Sequence, residues 1–235
     1  MNENASPDLD EKQLFYERFA GEFDANVNRY DLEKRVRIVF DRLLPESLEN
    51  KLLLDAGCGT GWFSQRAVQR GSRVVSMDVG IELLHEVAKK CETNRAIGDT
   101  CRLAYRDGTF DVVISSEVIE HVRDPGSAVR ELTRVLKPGG ILVLTTPNKP
   151  WYFAIWIANK IGARPYEGHE NWVGFGELAR LLAAQGLVVE EHIGFHLFPF
   201  LTKLSHPILD FMDRFGISLG PIMLNQAIRV RKLEE

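Results

Sequence analysis

The sequence predicts an α/β protein built on a mostly parallel sheet with helices on both faces. Two observations carry this prediction: uninterrupted apolar runs of strand length, and stretches of helical periodicity between them. The strand-like runs are Lys51–Leu54, Arg73–Met77, Phe110–Ser115 and Ile141–Thr145. The helix-like stretches between them are Trp62–Arg70, Ile81–Cys91 and Ser127–Leu136. Because ligands of such sheets bind beyond the carboxyl ends of the strands, we expect the functional residues directly after strands.

Two further segments flank this alternation. Apolar residues at helical spacing between Leu14 and Leu44 predict one or two amphipathic helices that end at Pro45. After Pro150 the pattern predicts an irregular apolar stretch and four regular elements, which are Trp151–Ile161, Phe175–Ala184, Leu187–His192 and Gln226–Arg231. We therefore expect one domain, 1–235, made of a helical preface (10–45), a core (51–148), a substrate lobe (149–225) containing strand 187–192, and a closing strand (226–231).

Composition and charge exclude several classes of protein. The 235 residues are 45% hydrophobic and 26% charged, as in a soluble globular protein, and the net charge of −4 is spread without a basic region for nucleic acid. Cys58, Cys91 and Cys101 form no CxxC pair, which argues against a disulfide scaffold and against structural zinc. The first twelve residues lack the features of a secretion signal, and the longest apolar run, Trp151–Ala158, is too short to cross a bilayer. We expect a cytoplasmic protein.

The most informative segment is an apolar strand that runs into a loop with three glycines. Gly57, Gly59 and Gly61 permit positive φ and close approach of a ligand to the backbone. A dinucleotide-binding loop needs Gly or Ala three residues after its second glycine, where this chain has Trp62, and the Gly-Lys-Ser/Thr of a P-loop is absent. Asp78 ends the next strand, where a carboxylate can accept both hydrogen bonds of a ribose diol. The pattern predicts a site for a nucleoside without a pyrophosphate.

Together these segments resemble the class I S-adenosylmethionine-dependent methyltransferases. The resemblance covers about Leu52 to Asn148 and rests on five segments in order, LLLDAGCGTG, VVSMD, GDT, FDVVISSEVIEHV and VLKPGGILVLTTPN. It implies a Rossmann-like sheet of seven strands with an antiparallel last strand, a position that Gln226–Arg231 suits. It also implies S-adenosylmethionine as cofactor, with the methionine part over the glycines, the ribose on Asp78 and the adenine near Asp99. The cofactor-binding residues that it implies in the core are Asp55, Gly57, Gly59, Gly61, Asp78, Asp99 and Thr100.

A closer resemblance is to the O-methyltransferases of ubiquinone biosynthesis, carried by SSEVIEHVRDP, LKPGG, TPN, GHENW and GFHLFP. In that family an arginine in the helix before the first strand contacts the cofactor, and Arg37 falls at the matching position. A guanidinium there would bind the methionine carboxylate through two charge-assisted hydrogen bonds. The backbone of Ser116 would lie beside the cofactor. The alternatives are that Arg37 is an ordinary exposed arginine and that Ser116 is an ordinary turn serine.

Glu117, Glu120 and His121 are the residues expected to carry the chemistry. On a helix they would share one face, directly after the fourth strand. With His169 of GHENW they could ligate Mg²⁺ or Zn²⁺, as the pattern of the ubiquinone-pathway enzymes implies, and such an ion would stabilise a catechol oxyanion. Two alternatives need no metal. His121 could act as a general base oriented by Glu120 or Glu117, or the Glu–His pair could be structural.

Aromatic residues are concentrated in the part of the chain that should shape the acceptor site. Twelve of the 22 lie after Pro150. An apolar stripe on a predicted helix there consists of Leu204, Ile208, Phe211 and Phe215. Such a stripe would suit a lid over a lipophilic acceptor, a surface resting on the inner face of a membrane, or the core of the lobe. We predict O-methylation of a hydroxylated aromatic small molecule that resembles a catechol or a quinol. In one version of this prediction the acceptor also carries a prenyl chain. The alternatives are methylation of a sugar or RNA terminal hydroxyl, and a non-catalytic protein that binds S-adenosylmethionine.

Overall fold

A seven-stranded sheet forms the centre of the computed structural model, which describes residues 20–160, 169–199 and 202–234. The strands are β1 Leu52–Ala56, β2 Arg73–Asp78, β3 Asn94–Ile97, β4 Phe110–Ser116, β5 Leu136–Pro147, β6 Leu187–Phe195 and β7 Asn225–Lys232. Their order is β3-β2-β1-β4-β5-β7-β6, and β7 runs antiparallel to both of its neighbours. The other pairs are parallel. The predicted α/β class and the antiparallel last strand are therefore confirmed.

Helices lie at nearly all the predicted positions. They are α1 Ala20–Asn26, α2 Arg29–Arg37, α3 Trp62–Gln69, α4 Ile81–Lys90, α5 Pro125–Val135, α6 Tyr152–Lys160, α7 Phe175–Ala183, α8 His206–Met212 and α9 Gly216–Leu219. A π-helical turn, Ile38–Leu43, extends α2 to the predicted end of the preface. The predicted residues before 20, and those at 161–168, fall outside the described residues. No described helix combines the length and the apolar character that crossing a bilayer requires.

Both faces of the sheet are buried, which explains the uninterrupted apolar strands. Successive residues of a strand point to opposite faces, so Leu53 and Leu54 of β1 enter two different apolar layers. Leu54 packs in the layer that contains Leu132 of α5 and Leu178 of α7. Leu53 packs in the layer that contains Phe40 at the end of the preface. The preface is thus part of the core, and it reaches the edge where the strands end.

The C-terminal segment, residues 202–222, approaches β6 closely because three glycines meet there. A Cβ on Gly216 would lie 2.3 Å from the carbonyl oxygen of Gly194 in β6, and one on Gly194 would lie 2.5 Å from Cα of Gly220. These distances are too short for any side chain, so the two backbones touch directly. The stripe at Leu204, Ile208, Phe211 and Phe215 is exposed, at 46–88%, and does not form the core of the lobe.

We expect Gly216→Ala to destabilise the protein by about 1–3 kcal/mol, because the added methyl group would push α9 away from β6. Chemical denaturation monitored by circular dichroism measures the free energy of unfolding. Gly176→Ala is the matched control, since that glycine lies in α7 and a Cβ there would meet only the end of a flexible arginine at 3.7 Å. Equal stability of the two variants would contradict the close backbone packing.

Candidate active site

A cavity of about 330 Å³ opens at the carboxyl ends of the parallel strands. Residues that follow β1, β2, β3 and β4 line it, as expected for a parallel sheet. The sequence-predicted residues in its wall are Gly57, Gly59, Asp78, Asp99, Thr100, Ser116, Glu117, Glu120 and His121. The fold therefore brings together most of the residues that were expected to bind cofactor or carry chemistry.

The glycine loop, residues 57–61, reverses the chain tightly after β1. Gly57 has φ +77°, and its N–H donates to the carbonyl oxygen of Met77 at 2.8 Å. A Cβ at Gly57 would lie 2.3 Å from Cγ2 of Val118, so glycine is required there for space as well as for conformation. Gly61, with φ +89°, precedes α3 and does not line the cavity.

Asp78 links the glycine loop to the end of β2. Its carboxylate accepts hydrogen bonds from the N–H of Gly59 at 2.8 Å and of Gly80 at 3.2 Å. A carboxylate offers about four acceptor positions, so it can still accept from a diol in the cavity. Asp99 accepts a hydrogen bond from the N–H of Cys101 at 2.8 Å, which stabilises the turn after β3. Asp99 itself lies in the cavity wall.

Asp55 lies beneath the cavity instead of in its wall. It is fully buried and accepts a hydrogen bond from Ser64 Oγ at 2.6 Å. Burial raises the pKa of Asp55 to about 7, although the hydrogen bond from Ser64 lowers it. This side chain binds α3 through Ser64 and does not line the cavity, so its placement does not support direct contact with the cofactor.

The arginine that reaches the cavity is Arg35, not Arg37. Residues two apart on a helix point about 200° from each other, so only one of the two can face the cavity. Arg37 is exposed, and its Nε donates to the carbonyl oxygen of Glu33 in its own helix at 3.4 Å. Its placement does not support the predicted contact. Arg35 lines the cavity, with Nη2 2.6 Å from Asp31 and Nη1 3.8 Å from Glu117.

Glu117, Glu120 and His121 lie on a turn, and the helical arrangement predicted for them is wrong. Glu117 has φ +57°, and α5 begins only at Pro125. Asp124 caps α5 by accepting from the N–H of Gly126, and a residue before proline favours extended backbone. Residues 117–124 therefore do not form an N-terminal extension of α5. The three side chains reach the cavity from an irregular turn.

Hydroxyl groups of β5 hold the two glutamates of this turn. Thr145 Oγ1 donates to Glu117 Oε1 at 2.9 Å, and Thr146 Oγ1 donates to the fully buried Glu120 at 3.0 Å. Burial raises the pKa of Glu117 to about 7, although Arg35 lowers it. The two carboxylates are therefore anchored to the sheet at the end of β5.

His121 has a defined tautomer. Its Nδ1 lies 3.0 Å from the carbonyl oxygen of His169. A carbonyl can only accept, so Nδ1 carries the proton, and in the neutral ring Nε2 is the acceptor. Nε2 lies 3.9 Å from a carboxylate oxygen of Glu120. The cavity thus contains an imidazole whose basic nitrogen is next to a carboxylate.

The predicted metal ligands do not form a ligand set in this arrangement. Among the residues that the structure describes, no three His, Cys, Asp or Glu side chains are placed to hold an ion together. The carboxylate of Glu117 faces Thr145 and Arg35, and His169 contributes its backbone carbonyl to His121. The residues as placed do not fit the four-ligand site, so no step below passes through a metal.

The GHENW motif contributes residues that the sequence did not single out. The N–H of Asn171 donates to the carbonyl oxygen of Glu120 at 2.7 Å, and its Nδ2 donates to that of Val122 at 2.6 Å. Trp172 lines the cavity. The motif drew attention to its histidine, but its asparagine also fastens the lobe to the turn 117–124.

Comparison with known proteins identifies the family. Residues 28–192 match the family model described as a methyltransferase domain. The chain belongs to the class I S-adenosylmethionine-dependent methyltransferases. Solved methyltransferases share the fold, among them proteins from Mesorhizobium loti (TM-score 0.64, 21% identity, 86% of this chain and 100% of that one) and Thermotoga maritima (TM-score 0.65, 20% identity, 92% and 98%). The methyltransferase therefore uses S-adenosylmethionine as its cofactor.

Two curated relatives bear the name ubiquinone biosynthesis O-methyltransferase. The protein of Psychrobacter arcticus is 34% identical over 171 residues, 66% of each chain, so the methyltransferase matches just under two thirds of that relative's length. The protein of Aeromonas salmonicida is 29% identical over 224 residues, which cover 87% of this chain and 92% of that one.

We expect Gly57→Ala to abolish cofactor binding by the methyltransferase, because the methyl group would collide with Val118 and force the glycine loop out of position. Calorimetric titration with S-adenosylhomocysteine measures this. The double variant Gly57→Ala with Val118→Ala removes the colliding atoms and should recover part of the affinity. Full affinity of the single variant would contradict the loop geometry.

Proposed function

We propose that the methyltransferase transfers a methyl group to the hydroxyl oxygen of a hydroxylated aromatic small molecule, with His121 as general base. The observation that carries this proposal is the hydrogen bond from Nδ1 of His121 to the carbonyl oxygen of His169, which makes Nε2 the basic nitrogen of the neutral ring in the cavity wall. The names of the curated relatives support a catechol- or quinol-like acceptor.

Proton removal creates a positive charge that Glu120 can stabilise. As the acceptor hydroxyl loses its proton to Nε2, the imidazole becomes an imidazolium next to the Glu120 carboxylate, 3.9 Å away. Thr146 and the backbone of Asn171 keep Glu120 in place, so its carboxylate is already positioned before the reaction begins. A base positioned in this way contributes about 10²- to 10⁴-fold to the rate.

Methyl transfer needs no covalent intermediate on the protein. A lone pair of the acceptor oxygen forms the new bond to the methyl carbon, and the carbon–sulfur bond breaks with its electrons moving to sulfur. The products are the methyl ether and S-adenosylhomocysteine. Alignment of oxygen, carbon and sulfur can lower the barrier by roughly 7–11 kcal/mol, so positioning contributes more than the base does.

The cavity wall suggests where each part of the cofactor binds. In our proposal Asp78 accepts from the ribose hydroxyls, Asp99 lies near the adenine amine, and the backbone of the glycine loop faces the methionine part. Arg35 takes the role first expected of Arg37 and orients the methionine carboxylate. Ser116, in the cavity wall at the end of β4, contributes backbone contact.

The exposed apolar side chains outside the cavity favour a lipophilic acceptor. Phe153 and Trp156 of α6 are each more than half exposed, as are three of the four stripe residues of the C-terminal segment. Exposed apolar surface of this kind suits a prenylated substrate, or peripheral contact with the membrane that carries such a substrate.

We expect His121→Gln to lower kcat about 10²- to 10⁴-fold with a catechol acceptor, because the base is lost while the cofactor site stays intact. The dissociation constant for S-adenosylmethionine should change less than twofold. His85→Gln is the control, since that histidine is exposed on α4 and does not line the cavity. Retention of most of the activity by His121→Gln would eliminate His121 as the base.

We expect chelation with EDTA to leave the rate unchanged, because the base is a side chain. An acceptor panel of catechols, prenylated phenols and simple sugars, assayed before and after chelation, identifies the substrate class in the same experiment. Activity that disappears on chelation and returns with Mg²⁺ or Zn²⁺ would contradict the metal-free mechanism. Methylation of the sugars alone would contradict the aromatic acceptor.

A further inference from the structure

The carboxylate of Asp24 joins helix α1 to the glycine loop. Oδ1 of Asp24 accepts hydrogen bonds from Thr60 Oγ1 at 2.7 Å and from Trp62 Nε1 at 2.9 Å. Oδ2 of the same group forms an ion pair with Lys90 at the end of α4. One side chain of α1 thus contacts the loop, the start of α3 and the end of α4.

The residues that Asp24 contacts also contact one another. Lys90 Nζ donates to the carbonyl oxygen of Thr60 at 2.8 Å and lies 5.6 Å from the ring centroid of Trp62. Burial alone would raise the pKa of Asp24, but hydrogen bonds from Lys90, Thr60 and Trp62 lower it below its usual value. Asp24 is therefore charged at neutral pH, and its contacts are charge-assisted.

Among the α1 side chains whose burial the structure describes, few make buried apolar contacts. Of these described side chains, only that of Ala20 is buried. An element with so few buried apolar contacts opens at low cost in free energy. Among the described side chains of α1, that of Asp24 is therefore the one tied to three other segments by charge-assisted contacts.

The residues that Asp24 fastens form part of the cofactor cavity. Thr60 and Trp62 line the cavity, and so does Val27, which directly follows α1. Asp24 itself does not line it. Movement of α1 away from the loop would therefore open the side of the cavity that these residues line, although Asp24 itself does not face the cofactor.

We propose that Asp24 is a positioning residue that fastens α1 over the bound cofactor and so limits how fast S-adenosylmethionine and S-adenosylhomocysteine leave. The inference rests on the cofactor of the family and not on the acceptor or on His121. A failure of the proposed O-methylation would leave it standing, and its own failure would leave the O-methylation standing.

The test compares Asp24→Ala with Glu22→Ala, which removes an exposed acid from the same helix. Stopped-flow tryptophan fluorescence, with Trp62 as a reporter in the cavity wall, follows release of S-adenosylhomocysteine, and calorimetry gives its dissociation constant. We expect Asp24→Ala to raise both the release rate and the dissociation constant on the order of tenfold, as loss of charge-assisted hydrogen bonds at a partly exposed site predicts. Glu22→Ala should match the wild type.

Steady-state kinetics separates this role from a merely structural one. In Asp24→Ala the KM for S-adenosylmethionine should rise, while kcat at saturating cofactor should not fall, because no group facing the cofactor is lost. A lower kcat with unchanged KM would overturn the proposal. So would an unchanged release rate in the folded variant.

Two milder variants keep the test decisive if Asp24→Ala does not fold. Asp24→Asn keeps a hydrogen-bond acceptor but loses the ion pair, and Lys90→Met removes the pair from the other side. Both should accelerate release by smaller factors in the same direction. Their effects should not add, because each breaks the same ion pair. Wild-type release rates in both variants would overturn the proposal.

Discussion

A parallel sheet that is covered on both faces is the constraint on which the rest of this structure depends. Its strands must be apolar on both sides, and their connections must cross over the faces, so the carboxyl ends of β1, β2 and β4 meet at one edge. At that edge the chain turns from strand to helix, and polar backbone groups and side chains become available to a ligand. The glycine loop, Asp78 and the turn 117–124 all lie there because of this arrangement.

The preface is the second determinant of the site, since it links the C-terminal segment to the cavity. Asp31 of α2 is buried and contacts both Arg35 in the cavity wall and Nε2 of His196 at the end of β6, 3.2 Å away. Lys34, one turn further along α2, forms ion pairs with Asp210 and with a second aspartate of the C-terminal segment. Partly buried ion pairs of this kind contribute little net stability, but they define the relative position of the elements that carry them. The lobe and the cofactor cavity therefore share one helix.

How well each part could be predicted depends on how local its cause is. Gly57 and Asp78 were placed correctly in the cavity wall because a strand followed by a glycine loop, and a carboxylate at the end of the next strand, are properties of short segments. Glu117 was expected on a helix because Glu117, Glu120 and His121 have the i, i+3 and i+4 spacing of one helix face. The hydrogen bonds from β5 and the cap at Asp124 outweigh that spacing. The cap is local, but the bonds from β5 come from residues far along the chain.

The sequence by itself determined the fold class, the order of most strands and helices, the family and its cofactor, because hydrophobic periodicity and short motifs encode them locally. The tertiary structure alone decided that Arg35 faces the cavity, that Nδ1 of His121 donates to the backbone at His169, and that Asp24 reaches the glycine loop. Each of these depends on two segments far apart in the chain meeting at a particular distance and angle. That geometry is set by the packing of whole elements, and no local pattern of residues records it.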